Sequence, residues 1–122
     1  MVRADLPAGR WAEGRAAEFL EAGGFRILHR NFRTRFGELD LIVERDGLLV
    51  LVEVKQRSNE RFSAIEETLT SAKKKKLLRA GRSAAAVYGR DRQMRFDLIA
   101  LVGDPESVEI RHYTDVLNGV DL

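Results

Sequence analysis

One segment, residues 37–57, constrains the fold more than any other, because its turn fixes the register of a β-hairpin. The segment reads GELDLIVERDGLLVLVEVKQR. Asp46 and Gly47 fit the two central positions of a type I′ turn, where both residues need a positive φ angle. With these two residues as the loop, the numbers of facing residues sum to 93. Side chains alternate between the two faces of a strand, so the sequence predicts both the partners and the faces.

That register places four charged residues on one face of the hairpin. Asp40 faces Glu53, and Glu38 faces Lys55. The opposite face is aliphatic and holds Leu39, Leu41, Val43, Val50, Val52 and Val54. Facing carboxylates repel each other, but a divalent cation between them is bound by the same oxygens. A solvated polar face on an amphipathic hairpin is the alternative, and the hairpin alone does not decide between the two.

Composition excludes several kinds of site and location. The 122 residues include no cysteine and only two histidines, which excludes disulfides, thiolate zinc sites and a cysteine nucleophile. No apolar run approaches the roughly 20 residues of a membrane span, and the N-terminus lacks the apolar core of a signal peptide. We therefore expect a single domain covering residues 1–122, located in the cytoplasm, with no membrane partner.

Charge is distributed unevenly, although the formal net charge is only +2. Residues 61–96 carry ten basic and three acidic residues, whereas residues 97–122 carry one basic and six acidic residues. A helix predicted over residues 64–88 holds much of the basic charge, with Lys73 and Lys76 beside its apolar stripe. Such a face suits nucleic-acid phosphates, although a lysine run that only solvates a helix gives the same pattern.

Periodicity predicts the remaining elements. An amphipathic helix covers residues 8–23, with Phe19 on its apolar stripe and Glu13 at the border of that stripe. Strands follow at residues 25–32, 94–102 and 107–113, the last antiparallel to the one before it. The order of elements predicts an α/β sandwich with a mixed sheet, and it leaves open whether the helices cover one face or both.

Several of these segments together resemble a known family. The GELDLI and VEVK stretches of the hairpin look like the D…(D/E)xK signature of restriction-endonuclease-like nucleases. Four further matches appear in order and at matching spacing: Glu13 with its small neighbours, Arg30-Asn31-Phe32-Arg33, Lys73 with Lys76, and Arg95-Phe96-Asp97. The whole set resembles the YraN family of uncharacterised bacterial proteins. The resemblance implies a restriction-endonuclease-like, Holliday-junction-resolvase-like mixed β-sheet flanked by helices, and nucleic-acid binding.

The expected function is that of a Mg²⁺- or Mn²⁺-dependent endonuclease that hydrolyses phosphodiester bonds in DNA, branched or repair intermediates among them. The expected metal ligands are Asp40, Glu53 and the backbone carbonyl of Val54. Lys55 would orient or deprotonate the attacking water, and Glu13 would be a third acid. Glu38 would either hold Lys55 or join the metal ligands.

The expected nucleic-acid contacts are Arg30, Arg33, Arg35, Arg57, Lys73 and Lys76. The three arginines before the hairpin fit a second interpretation equally well, in which they only keep a loop soluble. A homodimer is expected by analogy with junction-cutting enzymes. One alternative function is a non-catalytic nucleic-acid-binding module of nuclease fold in a repair or recombination complex. Another is a protein-interaction domain that docks through the acidic residues 97–122.

Overall fold

The computed structural model describes residues 10–57 and 69–117. Its elements are helix α1 (Arg10–Ala22), strands β1 (Arg26–Thr34), β2 (Gly37–Arg45) and β3 (Leu48–Arg57), helix α2 (Ser71–Tyr88), and strands β4 (Met94–Asp104) and β5 (Ser107–Tyr113). The polar residues 58–63, which read SNERFS and predict a loop after β3, lie outside the described residues. So do the predicted helical residues 8–9 and 64–68, and the end of the chain from residue 118.

The strands form one five-stranded sheet in the order β1-β2-β3-β4-β5. Strands β3 and β4 are parallel, with α2 between them in the chain, and every other neighbouring pair is antiparallel. The predicted mixed α/β class is therefore confirmed. Asp46 and Gly47 both have positive φ angles, 51° and 81°. The strands paired through this turn, from Leu41 with Val52 to Arg45 with Leu48, have the predicted register.

The two helices cover opposite faces of the sheet, which resolves the question that the element order left open. Helix α1 packs on the face that carries Leu41 and Val52, and α2 packs on the face that carries Ile42 and Leu51. Both helices approach through small residues. The buried small residues are Ala12, Ala16 and Ala17 in α1, and Ala80, Gly81 and Ala84 in α2.

Helix α2 begins later than the sequence predicted. Thr70 has an extended backbone, with φ −68° and ψ 163°, and its hydroxyl accepts the Lys73 N–H at 3.2 Å. A threonine in this position is a preferred N-cap, since it satisfies an N–H that has no partner within the helix. Leu69 is therefore buried but not helical. The apolar spacing of this helix also predicts Val87 on its buried side, but Val87 is 63% exposed, and the buried stripe ends at Ala84.

Two other expected core positions also differ. Phe19 is 39% exposed and packs edge-on against His112, with 5.9 Å between the ring centroids. Leu39 is buried, but it packs with Ile42 on the α2 side rather than with Leu41 and Val43 on the α1 side. Strict alternation is therefore broken at the start of β2.

Asp97 anchors the end of the described chain. It is almost fully buried, and its carboxylate accepts two hydrogen bonds from Arg95, both of 2.9 Å, and one from the Asp115 N–H at 3.0 Å. His112 Nε2 lies 2.8 Å from the same group. Burial raises the pKa of Asp97, but the hydrogen bonds from His112, Arg95 and Asp115 outweigh it and lower the pKa overall. Asp97 therefore has a structural role and is not available to a docking partner.

Candidate metal centre

Three acidic side chains from two elements converge at one end of the sheet. Glu13 of α1 meets Glu38 and Asp40 of β2, and one oxygen from each lies within 4.8 Å of the others. We call these residues the carboxylate cluster. Glu13 reaches it because its neighbours Ala12, Ala16 and Ala17 are fully buried and let α1 lie close to the sheet. The sequence predicted each of these acids as a site residue, and the structure brings them together.

Asp40 lies where β2 separates from β3. The pairing of the two strands ends at Leu41 with Val52. The two predicted pairs, Asp40 with Glu53 and Glu38 with Lys55, are therefore not among the paired residues of β2 and β3. Instead, Asp40 Oδ2 accepts the Val54 N–H at 2.7 Å. Irregular pairing of this kind re-aims a side chain and recurs beside active sites. The predicted register is thus wrong at the site itself, although it is correct for the rest of the hairpin.

Asn31 joins two members of the cluster and was not predicted as a site residue. With its amide oriented to suit both carboxylates, Nδ2 donates to Glu38 Oε1 at 2.8 Å and to Glu13 Oε1 at 3.2 Å. Its φ angle is 57°, a left-handed conformation that asparagine tolerates better than most residues. An asparagine within a predicted strand was the available signal, because asparagine is depleted from strands.

The cluster concentrates negative charge, and the effect is largest at Asp40. Burial raises the pKa of Asp40 to about 7, with repulsion from Glu53, Glu13 and Glu38 adding to it against the Val54 hydrogen bond. The pKa of Glu13 is raised too, by burial and then by Glu38, while Asn31 opposes the shift. Perturbed carboxylates of this kind are enriched at functional sites. A cation at this position would remove the repulsion.

Glu53 lies beside the cluster and is held by two lysines. It is only 7% exposed, with Lys73 Nζ at 2.9 Å and Lys55 Nζ at 3.7 Å from its Oε1. Lys55 therefore pairs with Glu53 and not with Glu38, and of the two roles expected for Glu38 the structure favours membership of the cluster. Lys73, expected as a phosphate contact, is brought to the site through Glu53.

The other predicted basic residues surround the site at different distances. Arg33 Nε lies 3.5 Å from Glu38 Oε2, and Arg30 is close enough to lower the pKa of Glu13. Lys76 lines a cavity of about 50 Å³ with Glu38 and Lys73. Arg35 and Arg57, the other two expected contacts, lie away from these residues.

Arg35 lies over the Phe36 ring, with its guanidinium carbon 4.8 Å from the centroid. Arg57 is exposed at the end of β3 and donates to the Gln56 carbonyl at 3.0 Å. The structure therefore brings most, but not all, of the expected nucleic-acid contacts to the carboxylate cluster.

The donor chemistry of the cluster fits a hard divalent cation. Its ligand atoms are carboxylate oxygens, which Mg²⁺ and Mn²⁺ prefer. Within residues 10–57 and 69–117, no other group of at least three histidine or acidic side chains has this spacing. Nitrogen and sulfur ligands, typical of structural zinc sites, do not contribute to it. The cluster can therefore hold a metal ion.

The fold and the site define a class: a mixed α/β protein with a five-stranded sheet, a helix on each face and an acidic group able to hold a metal. A model of the uncharacterised protein family UPF0102 matches residues 12–101. The chain belongs to this family, the YraN family that the motifs resemble. Neither helix of the described residues is long and apolar enough to cross a membrane.

Relatives align over most of their own length. A UPF0102 protein of Thermus thermophilus is 45% identical over 105 residues, covering 85% of this chain and 91% of the relative. One from Myxococcus xanthus is 38% identical over 117 residues, covering 91% and 93%. One from Symbiobacterium thermophilum is 41% identical over 99 residues, covering 80% and 84%. The similarity therefore extends well beyond the hairpin motif.

Proposed function

We propose that this protein is a metal-dependent nuclease of the restriction-endonuclease-like superfamily, which hydrolyses phosphodiester bonds in DNA. The observation that carries the proposal is the convergence of Glu13, Glu38 and Asp40 beside the paired Glu53 and Lys55. Helix α2 adds six basic residues and no acidic residue next to this site. An acidic cation site beside a basic helix suits an anionic substrate that must be bound and then attacked.

The proposed metal ligands are the three carboxylates of the cluster, Glu13, Glu38 and Asp40. Glu53 and the backbone carbonyl of Val54, the other expected ligands, would join them if Lys73 moved from Glu53 to a substrate phosphate. A bound Mg²⁺ or Mn²⁺ would neutralise the scissile phosphate and lower the pKa of a coordinated water. Asn31 positions Glu13 and Glu38, since its amide bridges their carboxylates.

The basic residues stabilise charge and position the substrate. Lys55, 3.7 Å from Glu53, orients the attacking water and stabilises the negative charge that develops on the phosphate. Lys73, Lys76, Arg30 and Arg33 contact the phosphate backbone around the site, without reading the sequence of bases. Arg35 and Arg57 extend this contact surface away from the cluster.

Cleavage assays with matched variants test the proposal. Single-stranded, duplex, flap and four-way-junction DNA are incubated with purified protein and Mg²⁺ or Mn²⁺, with EDTA as the blank. Asp40→Asn and Lys55→Ala should each reduce the rate by about 10²-fold or more. The controls Asp91→Asn and Arg90→Ala replace an exposed acidic and an exposed basic residue in the turn after α2, outside the cluster, and should retain the rate. Cleavage that survives both site substitutions would assign the activity to a contaminant or to another site.

A second function, a nucleic-acid-binding module that does not cut, is favoured by one observation. The acid and the lysine of the VEVK motif are paired with each other, and Lys73 occupies the same carboxylate. In such a module these lysines only neutralise Glu53. Salt-dependent binding with no cleavage in the assay above, and no heat of Mn²⁺ binding in calorimetry, would support this alternative.

The proposed partner is nucleic acid, with DNA preferred over RNA, and the proposed location is the cytoplasm. A homodimer is proposed by analogy with junction-cutting enzymes that act on symmetric substrates. Sedimentation of the protein with and without a four-way junction tests this, because a functional dimer should bind one junction per two chains.

A further inference from the structure

Phe36 occupies an unusual position for a large apolar residue. It lies with Arg35 in the two-residue turn between β1 and β2, after the last paired residues Thr34 and Gly37. It is half-buried, yet among the described residues it belongs to neither core cluster. Its packing therefore does not account for an aromatic residue at this turn.

The turn that carries Phe36 is held in one conformation. The Thr34 hydroxyl accepts the Phe36 N–H at 3.0 Å and donates to the Gly37 carbonyl at 2.8 Å. Gly37 has a φ angle of 139°, which favours glycine. A backbone held in this way loses little conformational freedom when the turn binds a ligand.

Phe36 borders two adjacent depressions on the α2 side. One is the small cavity that it shares with Glu38, Lys73 and Lys76 next to the carboxylate cluster. The other is an open groove of about 400 Å³ lined by Phe36, Arg79, Arg82, Ser83 and Ala86, which we call the Phe36 groove. The ring therefore lies between the carboxylate cluster and a second basic surface.

The Phe36 groove concentrates positive charge. Arg79 and Arg82 are exposed, and within residues 10–57 and 69–117 no acidic side chain pairs with either of them. Arg35 adds a guanidinium above the ring. An exposed contact of this type is weak, so Arg35 can move aside for a base and contact the adjoining phosphate. An aromatic ring surrounded by arginines suits an unpaired nucleotide, whose base stacks while its phosphates bind the cations.

We infer that the Phe36 groove binds an unpaired segment of nucleic acid, with one base stacked on Phe36 and the neighbouring phosphates on Arg79 and Arg82. The inference rests on the proposed function and narrows its substrate to DNA with a single-stranded region, such as a flap or an open branch point. A base inside an uninterrupted duplex is stacked on its neighbours and does not reach the ring. The strand then runs from the groove, past Phe36, to Lys73 and the carboxylate cluster.

Binding measured without catalysis tests this inference separately from the nuclease proposal. Fluorescence anisotropy in EDTA compares a labelled oligothymidylate with a duplex of the same length. Phe36→Leu keeps an apolar side chain but removes the aromatic face, and should weaken single-strand binding roughly 5- to 150-fold while leaving duplex binding within about twofold. Phe19→Leu is the matched control, since Phe19 is also partly exposed but lies on α1, on the opposite face of the sheet.

Two further arms separate stacking from charge. An oligothymidylate with an abasic position in the contacted register should bind wild type and Phe36→Leu equally, because the stacked base is missing from both complexes. Arg79→Ala and Arg82→Ala should each lower the salt dependence of single-strand binding by ~0.7 in the slope of log K against log salt. Thermal unfolding confirms that each variant is folded.

Each outcome decides a different claim. Selective loss of single-strand binding in Phe36→Leu supports the inference. Equal binding of single strand and duplex, unaffected by Phe36→Leu, overturns the inference and leaves nucleic-acid binding in place. No binding of either probe by the wild-type protein overturns the inference together with the proposed function.

Discussion

Asp40→Asn in metal-free protein probes the repulsion within the carboxylate cluster directly. Burial and the neighbouring acids raise the pKa of Asp40 from 3.8 to about 7. Between those two pH values the Asp40 carboxyl binds a proton more tightly in the folded protein than in the unfolded chain. The contribution of Asp40 to the free energy of unfolding therefore falls as pH rises from about 4 to 7 and is constant above that range. Asparagine has the same shape, carries no charge and still accepts the Val54 N–H, so the variant avoids this loss.

The magnitude follows from the shift. A difference of about three pKa units corresponds to ~4 kcal/mol at 1.36 kcal/mol per unit, and this is an upper limit because Asp40 retains some solvent contact. We expect Asp40→Asn to raise the free energy of unfolding by about 2 kcal/mol near pH 8, and by less than about 1 kcal/mol near pH 5.

Urea unfolding in EDTA at the two pH values measures the effect, and Asp91→Asn controls for loss of an exposed carboxylate. Adding Mn²⁺ should stabilise the wild type and reduce the advantage of the variant, since a ligand stabilises only the state that binds it. An Asp40→Asn protein that is less stable than the wild type near pH 8 in EDTA would refute the account of the cluster.

Two predictions concern the fold. Gly81→Ala should destabilise the protein by about 1–3 kcal/mol, because the added Cβ would lie 3.0 Å from Leu51 Cδ1 and closer still to Phe96. Gly14→Ala should instead stabilise the protein by about 0.5–1 kcal/mol, because its added Cβ meets nothing within 4 Å. Asp97→Ala should lower the free energy of unfolding by about 3 kcal/mol, since it leaves the Arg95 guanidinium without its carboxylate partner. The pKa of Asp97 is lowered in the folded protein, so its carboxylate contributes less stability at acid pH and the effect of the substitution should be smaller there. Urea unfolding measures both. Equal effects of the two glycine changes, or a pH-independent loss in Asp97→Ala, would contradict these assignments.

The hairpin and the mixed sheet could be predicted because they depend on local signals. Asp46 and Gly47 determine a turn whose geometry is fixed by their own φ angles. Counting residues outward from the turn then gives the correct facing pairs as far as Leu41 with Val52. Helix α2 was predicted by its apolar spacing, and only its start was wrong, since Thr70 caps it.

The arrangement of the site could not be predicted from the hairpin in the same way. The Asp40 side chain, instead of a backbone carbonyl, accepts the Val54 N–H. Asn31 adopts a left-handed conformation in the adjacent strand. Both features depend on contacts between different elements of the fold, so the alternation of side chains along a single strand does not predict them. Glu13 was suggested by its place beside the apolar stripe of α1 and by the family resemblance. Its distance from Asp40 is set by how closely α1 packs on the sheet.

The identity of the metal ligands is the central claim, and a crystal of the protein soaked in Mn²⁺ near neutral to alkaline pH tests it most directly. Anomalous scattering identifies the ion, because the light atoms of the protein scatter anomalously only weakly. The account predicts a peak between Glu13, Glu38 and Asp40, with Mn–O distances of about 2.0–2.4 Å, and no peak at this position in Asp40→Asn. Ordered carboxylates with no anomalous peak between them, or a peak held by other residues, would contradict it.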